Sequence, residues 1–161
     1  MNISEYYMYR DSVTGQMGKT FAIKEFERLK NKKDMGAVIA EIKWIDDKSH
    51  ENAQNDVIRV SVVLAATGFG EVSRIAFGKF IIFTKDPCEK ARRVFSYLNS
   101  AFAAGDIRFA VTAEKFSEDE GDFESFKGRF NCGLAAAANV CFKSPAIPIE
   151  GGESDAKGYI V

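Results

Sequence analysis

The chain has 161 residues, a formal net charge of −1 and a single His among them. A chain of this length is most simply one domain with a substantial core, and its near-zero charge excludes a general basic field for nucleic acid. One His, with three Cys that lack metal-ligand spacing, leaves little for imidazole catalysis or for His and Cys metal sites. We therefore expect a non-enzymatic protein with no catalytic residue, no metal and no cofactor.

The N-terminus has neither a basic start nor an apolar run, so it does not resemble a secretory signal. The longest uncharged run, at 131–142, is about half of the roughly 20 residues that a bilayer span requires. These features predict a cytoplasmic protein with reduced thiols and no membrane segment.

Residues 1–36 are predicted to form an N-terminal arm followed by a short helix. The string GQMGKT at 15–20 copies the end of a phosphate-binding loop, but Val13 stands where the first glycine of that pattern belongs. We interpret the string as an ordinary turn. The helix is predicted to end near Lys32 in a cationic stretch, which we interpret as a solvated helix end, with a phosphate-contacting patch as the alternative.

Three strands are predicted next, at 36–47, 56–68 and 74–83. In the second of them Ile58, Val60, Val62 and Leu64 alternate with polar residues, as in a half-buried strand. A polar connector of about ten residues containing His50 separates the first two strands, and Gly78 interrupts the third, as in a bulge or a barrel bend.

The best-specified element is a helix at 86–104. Asp86 is a natural N-cap, Pro87 suits the first turn, and Glu89 completes a capping box. Gly105 is well placed to end the helix. One apolar stripe at helical spacing predicts that this helix packs on a sheet or barrel: Ala91, Val94, Phe95, Leu98 and Phe102.

A fourth strand is predicted at 107–116 and a fifth region at 126–143, interrupted at Gly133. The acidic segment 117–125 between them lacks the alternation of a calcium loop, so we interpret it as a solvated turn. Residues 145–161 are predicted to form an extended C-terminal tail.

The resulting order of three strands, one helix and two strands is that of a five-stranded OB-like barrel. A β-sandwich with one packed helix gives the same order and stays open as an alternative. In either case residues 37–144 form the core, with the helix at 86–104. No motif ties the sequence to a particular family.

The function predicted from this fold is binding of single-stranded nucleic acid, in which aromatic rings stack on bases and cations follow the phosphates. The alternatives are a homo-oligomeric assembly subunit of a phage-like or secretion particle, and an inhibitor or adaptor that binds another protein, with the C-terminal tail as a possible contact. The predicted nucleic-acid-binding residues are Lys43, Trp44, Arg59, Arg74, Phe77, Lys79, Lys127 and Arg129.

Overall fold

The structure, a computed structural model, describes residues 2–103, 107–131 and 140–143. Within these ranges the chain forms five helices and five strands. In chain order they are α1 (Ile3–Tyr9), α2 (Lys19–Leu29), β1 (Met35–Trp44), α3 (His50–Ala66), β2 (Val72–Ala76), β3 (Lys79–Lys85), α4 (Pro87–Ala101), β4 (Ile107–Lys115), α5 (Phe123–Asn131) and β5 (Val140–Lys143).

The strands form one open antiparallel sheet in the order β2-β3-β1-β4-β5. Strand β1 lies at the centre, with Ala40 opposite Phe80 of β3 and opposite Val111 of β4. Strands β2 and β5 lie at opposite edges of the sheet, so the sheet is not closed. The predicted OB-like barrel, and the sandwich kept as its alternative, are therefore wrong.

Helices α3 and α4 cover one face of the sheet. Alternate residues of β1, among them Val38 and Ile42, point to this side and pack against Val60 of α3 and Val94 of α4. All four side chains are at most 4% exposed, so the strand is fully covered on this side. This layer contains the helix predicted for 86–104, with observed bounds Pro87–Ala101.

Helices α2 and α5 cover the opposite face. Ile39 of β1 and Ile81 of β3 pack there against Phe26 of α2 and Phe126 of α5. The Phe26 ring also lies near three further phenylalanine rings, those of Phe83, Phe116 and Phe123. The sheet therefore has helices on both faces, whereas the sequence predicted a single packed helix.

The strand predicted at 56–68 lies mostly in helix α3. Ser49 caps it by accepting a hydrogen bond from the Asn52 amide at 3.2 Å. Val60 and Leu64 are fully buried, but Val62, expected on the same strand face, is 57% exposed. The burial follows the helical period, and the alternation of apolar residues in the sequence was coincidental.

Three other regions also differ from expectation. The single strand predicted at 74–83 is the hairpin of β2 and β3, and Gly78 lies in its turn, not in a bulge or barrel bend. Helix α1 occupies part of the predicted irregular arm and begins with a capping box between Asn2 and Glu5. Helix α5 replaces the start of the predicted fifth strand, because Phe123, Phe126 and Phe130 all face the core. Gly105, Gly133 and the predicted tail at 145–161 lie outside the described residues.

Candidate functional site

A polar pocket of about 590 Å³ lies along the first half of α3. Its volume falls in the range of roughly 300–1,000 Å³ that is typical of small-molecule sites. The pocket is lined by Lys48, Asn52, Asn55, Asp56, Ile58 and Arg59. Its lining therefore combines a carboxylate, two amides and two cations.

The central group is the carboxylate of Asp56, a residue only 5% exposed. Its Oδ2 atom accepts hydrogen bonds from the Trp44 indole at 3.0 Å and from the Lys48 ammonium at 2.6 Å. Its Oδ1 atom has a longer ionic contact, 3.6 Å, with the guanidinium of Arg59. Burial of a carboxylate is tolerable because these partners compensate for lost hydration, and Oδ1 keeps capacity to accept a further hydrogen bond.

An aromatic cluster adjoins the Asp56 carboxylate through Trp44, whose indole donates to it. Phe77, at the tip of the β2–β3 hairpin, stacks on Trp44 with ring centroids 5.6 Å apart and on His50 with centroids 5.4 Å apart. The hairpin lies close to the indole, since a Cβ added at Gly78 would be 3.0 Å from the Trp44 ring. The end of β1, the start of α3 and the hairpin tip thus converge at one place.

Of the eight predicted binding residues, Arg59 lines this pocket, Trp44 donates to Asp56, and Phe77 stacks on Trp44. The interpretation of 56–68 as a strand hid the polar residues around Arg59. Read at helical spacing, Asn52, Asn55, Asp56 and Arg59 share one side of a helix, and this pattern could have revealed the pocket.

The other five predicted residues lie in ion pairs elsewhere. Lys43 and Lys79 both pair with Glu41. Burial opposes ionisation of Glu41, but the hydrogen bond from Lys43 and the charge of Lys79 outweigh it and lower its pKa. The remaining pairs are Arg74 with Asp11, Lys127 with Glu124, and Arg129 with Glu114 and Glu120.

The described residues contain no group of three or more His, Cys, Asp or Glu side chains arranged to hold a metal ion. None of their helices is long and apolar enough to cross a bilayer.

No protein-family model and no curated protein matches the chain. Among solved structures it is similar to a diguanylate cyclase/phosphodiesterase from Caldicellulosiruptor saccharolyticus, with a TM-score of 0.63 and 17% identity over 81% of this chain and 87% of that one. It is also similar to a microbial GGDEF domain described for its interaction mode with bis-(3′,5′)-cyclic di-GMP (TM-score 0.60, 12% identity, 80% and 89% coverage). A third match is the S helix-GGDEF-EAL chain of Vibrio cholerae LapD, bound to c-di-GMP (TM-score 0.58, 13% identity, 81% and 36% coverage).

The class defined by these similarities is an open antiparallel sheet with helices on both faces. Within this class, the fold is similar to that of the GGDEF domains in these structures. One of these structures is named as an enzyme, and the other two are described with cyclic di-GMP. The fold is therefore compatible both with catalysis and with nucleotide binding.

The comparisons also correct the predicted function. Single-stranded nucleic acid is the wrong partner class, because the structural neighbours are associated with a cyclic dinucleotide. The same neighbours contradict the alternatives, a homo-oligomeric, phage-like or secretion-particle subunit and a protein-binding inhibitor or adaptor. For the nucleic-acid prediction there is also a physical reason, because helix α3 stands where a strand of the barrel and its binding groove were expected.

Proposed function

We propose that this chain binds a guanine nucleotide, cyclic di-GMP in particular, in the pocket around Asp56. The observation that carries the proposal is a buried carboxylate in a polar pocket, with one oxygen able to accept a further hydrogen bond and the other bonded to the Trp44 indole of an aromatic cluster. The likeness of the fold to domains described with cyclic di-GMP supports the choice of ligand.

The donors and acceptors of the pocket match those of guanine. The base presents N–H donors on one edge, which a carboxylate such as that of Asp56 can accept, and the O6 and N7 acceptors on another, which Arg and Lys favour. Asn52 and Asn55 each offer a donor and an acceptor. Lys48 and Arg59 can also neutralise phosphate charge, and nearby aromatic rings suit a planar base.

The proposed role is binding without catalysis. The hairpin tip beside the pocket reads Ala76-Phe77-Gly78-Lys79 and presents no carboxylate, and Lys79 is paired with Glu41. We expect neither formation of cyclic di-GMP from GTP nor hydrolysis of cyclic di-GMP, as measured by chromatography of the nucleotides after incubation with magnesium. A cytoplasmic location, predicted from the sequence, is part of the same proposal.

The proposal is tested by isothermal titration of the full chain with cyclic di-GMP, GTP and, as a negative ligand, oligo-dT. Asp56→Asn removes the charge that receives the base N–H groups, and Arg59→Ala removes a donor to the base or phosphate. Each is expected to weaken nucleotide binding by at least about fivefold, since a well-formed polar contact to a base edge contributes roughly 1–3 kcal/mol.

Arg92→Ala is the matched control, because Arg92 is an exposed cation on α4 that does not line the pocket. It should bind nucleotides like the unmodified chain. Equal losses in Arg92→Ala and Arg59→Ala would indicate a general charge effect and count against the pocket. Absence of binding of both cyclic di-GMP and GTP to the unmodified chain would refute the proposal.

A further inference from the structure

At the tip of the β2–β3 hairpin, the ring of Phe77 lies on Trp44, the residue that donates a hydrogen bond to Asp56. Phe77 is 36% exposed, yet its ring is nearly parallel to two neighbours, with interplanar angles of 26° to Trp44 and 16° to His50. A planar ring stacked on the faces of other aromatic rings is the arrangement in which proteins hold nucleobases.

The backbone of the hairpin tip is anchored while the Phe77 side chain lies at the surface. The amide of Ile42 donates a hydrogen bond to the carbonyl of Gly78 at 2.8 Å, and Gly78 lies against the Trp44 ring. The Phe77 ring can therefore leave Trp44 by rotation about its own side-chain bonds, which exposed residues perform within nanoseconds.

The position occupied by Phe77 adjoins the groups proposed to recognise the base. Trp44 donates its indole N–H to Asp56 at 3.0 Å, so the edge of the indole points at the carboxylate. A base stacked on the same indole would therefore lie beside the Asp56 pocket and present an edge to it.

We propose that Phe77 fills the base-stacking position of the pocket in the free protein and must turn away before a guanine base can stack on Trp44. Phe77 is then an internal competitor that lowers the affinity for nucleotide. This inference rests on the proposed function and adds to it the order of events: release of Phe77, then stacking of the base.

The test compares the affinities of the full chain and of Phe77→Ala for cyclic di-GMP and for GTP by isothermal titration. Removal of the competing ring should tighten nucleotide binding by about three- to tenfold, the equivalent of losing one aromatic stacking interaction. Phe77→Leu keeps an apolar side chain but no planar ring, so it should shift the affinity in the same direction and covers the case in which Phe77→Ala does not fold.

Tyr97→Ala is the matched control, because Tyr97 is 42% exposed and lies on α4, away from the Asp56 pocket. It should leave the affinity unchanged. Tighter binding by the Phe77 variants than by the unmodified chain, with the affinity of Tyr97→Ala unchanged, supports the inference.

Equal or weaker binding by folded Phe77 variants, with binding by the unmodified chain, overturns the inference and leaves the proposed function standing. If neither the unmodified chain nor the Phe77 variants bind cyclic di-GMP or GTP, both are overturned. The two failures are therefore distinguishable.

Discussion

At the scale of single residues, Gly36 lies near the start of β1, where this strand passes between β4 and the first turn of α4. A Cβ at this position would be 2.2 Å from the carbonyl oxygen of Glu114 and 2.8 Å from Pro87. Neither neighbour is the flexible end of a side chain. Gly36→Ala is therefore expected to lower the free energy of unfolding by about 3 kcal/mol, the upper range for overpacking, as measured by urea denaturation.

At Gly128, in contrast to Gly36, there is room for a side chain. This glycine lies within α5, and a Cβ added there would meet no atom within 4 Å. Gly128→Ala should raise the free energy of unfolding by about 0.5–1 kcal/mol, because alanine loses less backbone entropy in a helix. A Gly36→Ala chain as stable as the unmodified chain would contradict the close packing of β1 against β4 and Pro87.

Some residue-scale features could be predicted from the sequence and others could not. The start of α4 at Pro87 followed from proline geometry, which requires no tertiary contact. The predicted cap at Asp86 did not form: this residue adopts a left-handed conformation with φ of 50° and makes no side-chain cap bond. Its amide instead donates to the carbonyl of Asp34, a contact between segments far apart in sequence.

At the scale of elements, the secondary structure was predicted wrongly where the strand period and the helical period of apolar residues fit the same stretch of sequence. In α3 the strand period included Val60, Val62 and Leu64, while the helical period included Val57, Val60 and Leu64. The sequence offers both interpretations, and the sheet decides between them because only the helix buries its stripe. The candidate pocket was missed for this reason, since its polar residues adjoin each other only on a helix.

Helix α5 is held to β4 by a buried charge cluster. Arg129 of α5 contacts Glu114 of β4 at 3.2 Å and Glu120 at 2.8 Å, and it donates to the carbonyl of Lys115. Glu114 is 4% exposed, and its Oε2 has no hydrogen-bond partner among the described residues. Burial raises the pKa of Glu114, and the charge of Arg129 only partly offsets this while that of Glu120 adds to it.

This raised pKa makes a testable contribution to the pH dependence of stability. Between the ordinary pKa of a glutamate and the raised value, the folded chain holds the Glu114 proton more tightly than the unfolded chain does. The contribution of Glu114 to the free energy of unfolding is therefore full below that window and declines as the pH rises through it. Glu114→Gln removes the contribution, so its stability relative to the unmodified chain should increase from pH 4 to pH 7 in urea titrations.

Glu124, also on α5, is the control for this prediction, because its pKa is lowered whereas that of Glu114 is raised. Its hydrogen bond with Lys127 is the main cause of its lowered pKa, so its contribution is present at neutral pH and is lost as the pH falls. Glu124→Gln should therefore lose stability relative to the unmodified chain between pH 4 and pH 7. The same slope for both variants would contradict the assignment of the effect to burial of Glu114.

At the scale of the whole molecule, the central strand joins two cores. Alternate residues of β1 enter the α3 and α4 layer or the α2 and α5 layer, so each layer depends on the same backbone. The phenylalanines are divided between the two faces, and this division could not be predicted without the sheet order. The pocket around Asp56 and the Phe26 cluster consequently lie on opposite sides of one sheet.

This arrangement predicts a single cooperative unfolding transition. Phe26→Ala removes a fully buried ring from the α2 and α5 layer and should lower the free energy of unfolding by about 3–5 kcal/mol. Trp44, the only tryptophan of the chain, packs against the opposite core, so its fluorescence reports on the other layer. The fluorescence and far-UV circular dichroism transitions of Phe26→Ala should shift together in urea, because both layers share β1.

Tyr7→Ala is the matched aromatic control, since Tyr7 is 64% exposed on α1 and its loss should change the stability by less than about 0.5 kcal/mol. A Trp44 transition that stays at its original urea concentration, while the circular dichroism of Phe26→Ala shifts, would show that the two layers unfold separately. In that case β1 would remain folded against α3 and α4 alone, and the pocket around Asp56 would persist without the phenylalanine-rich layer on the other face.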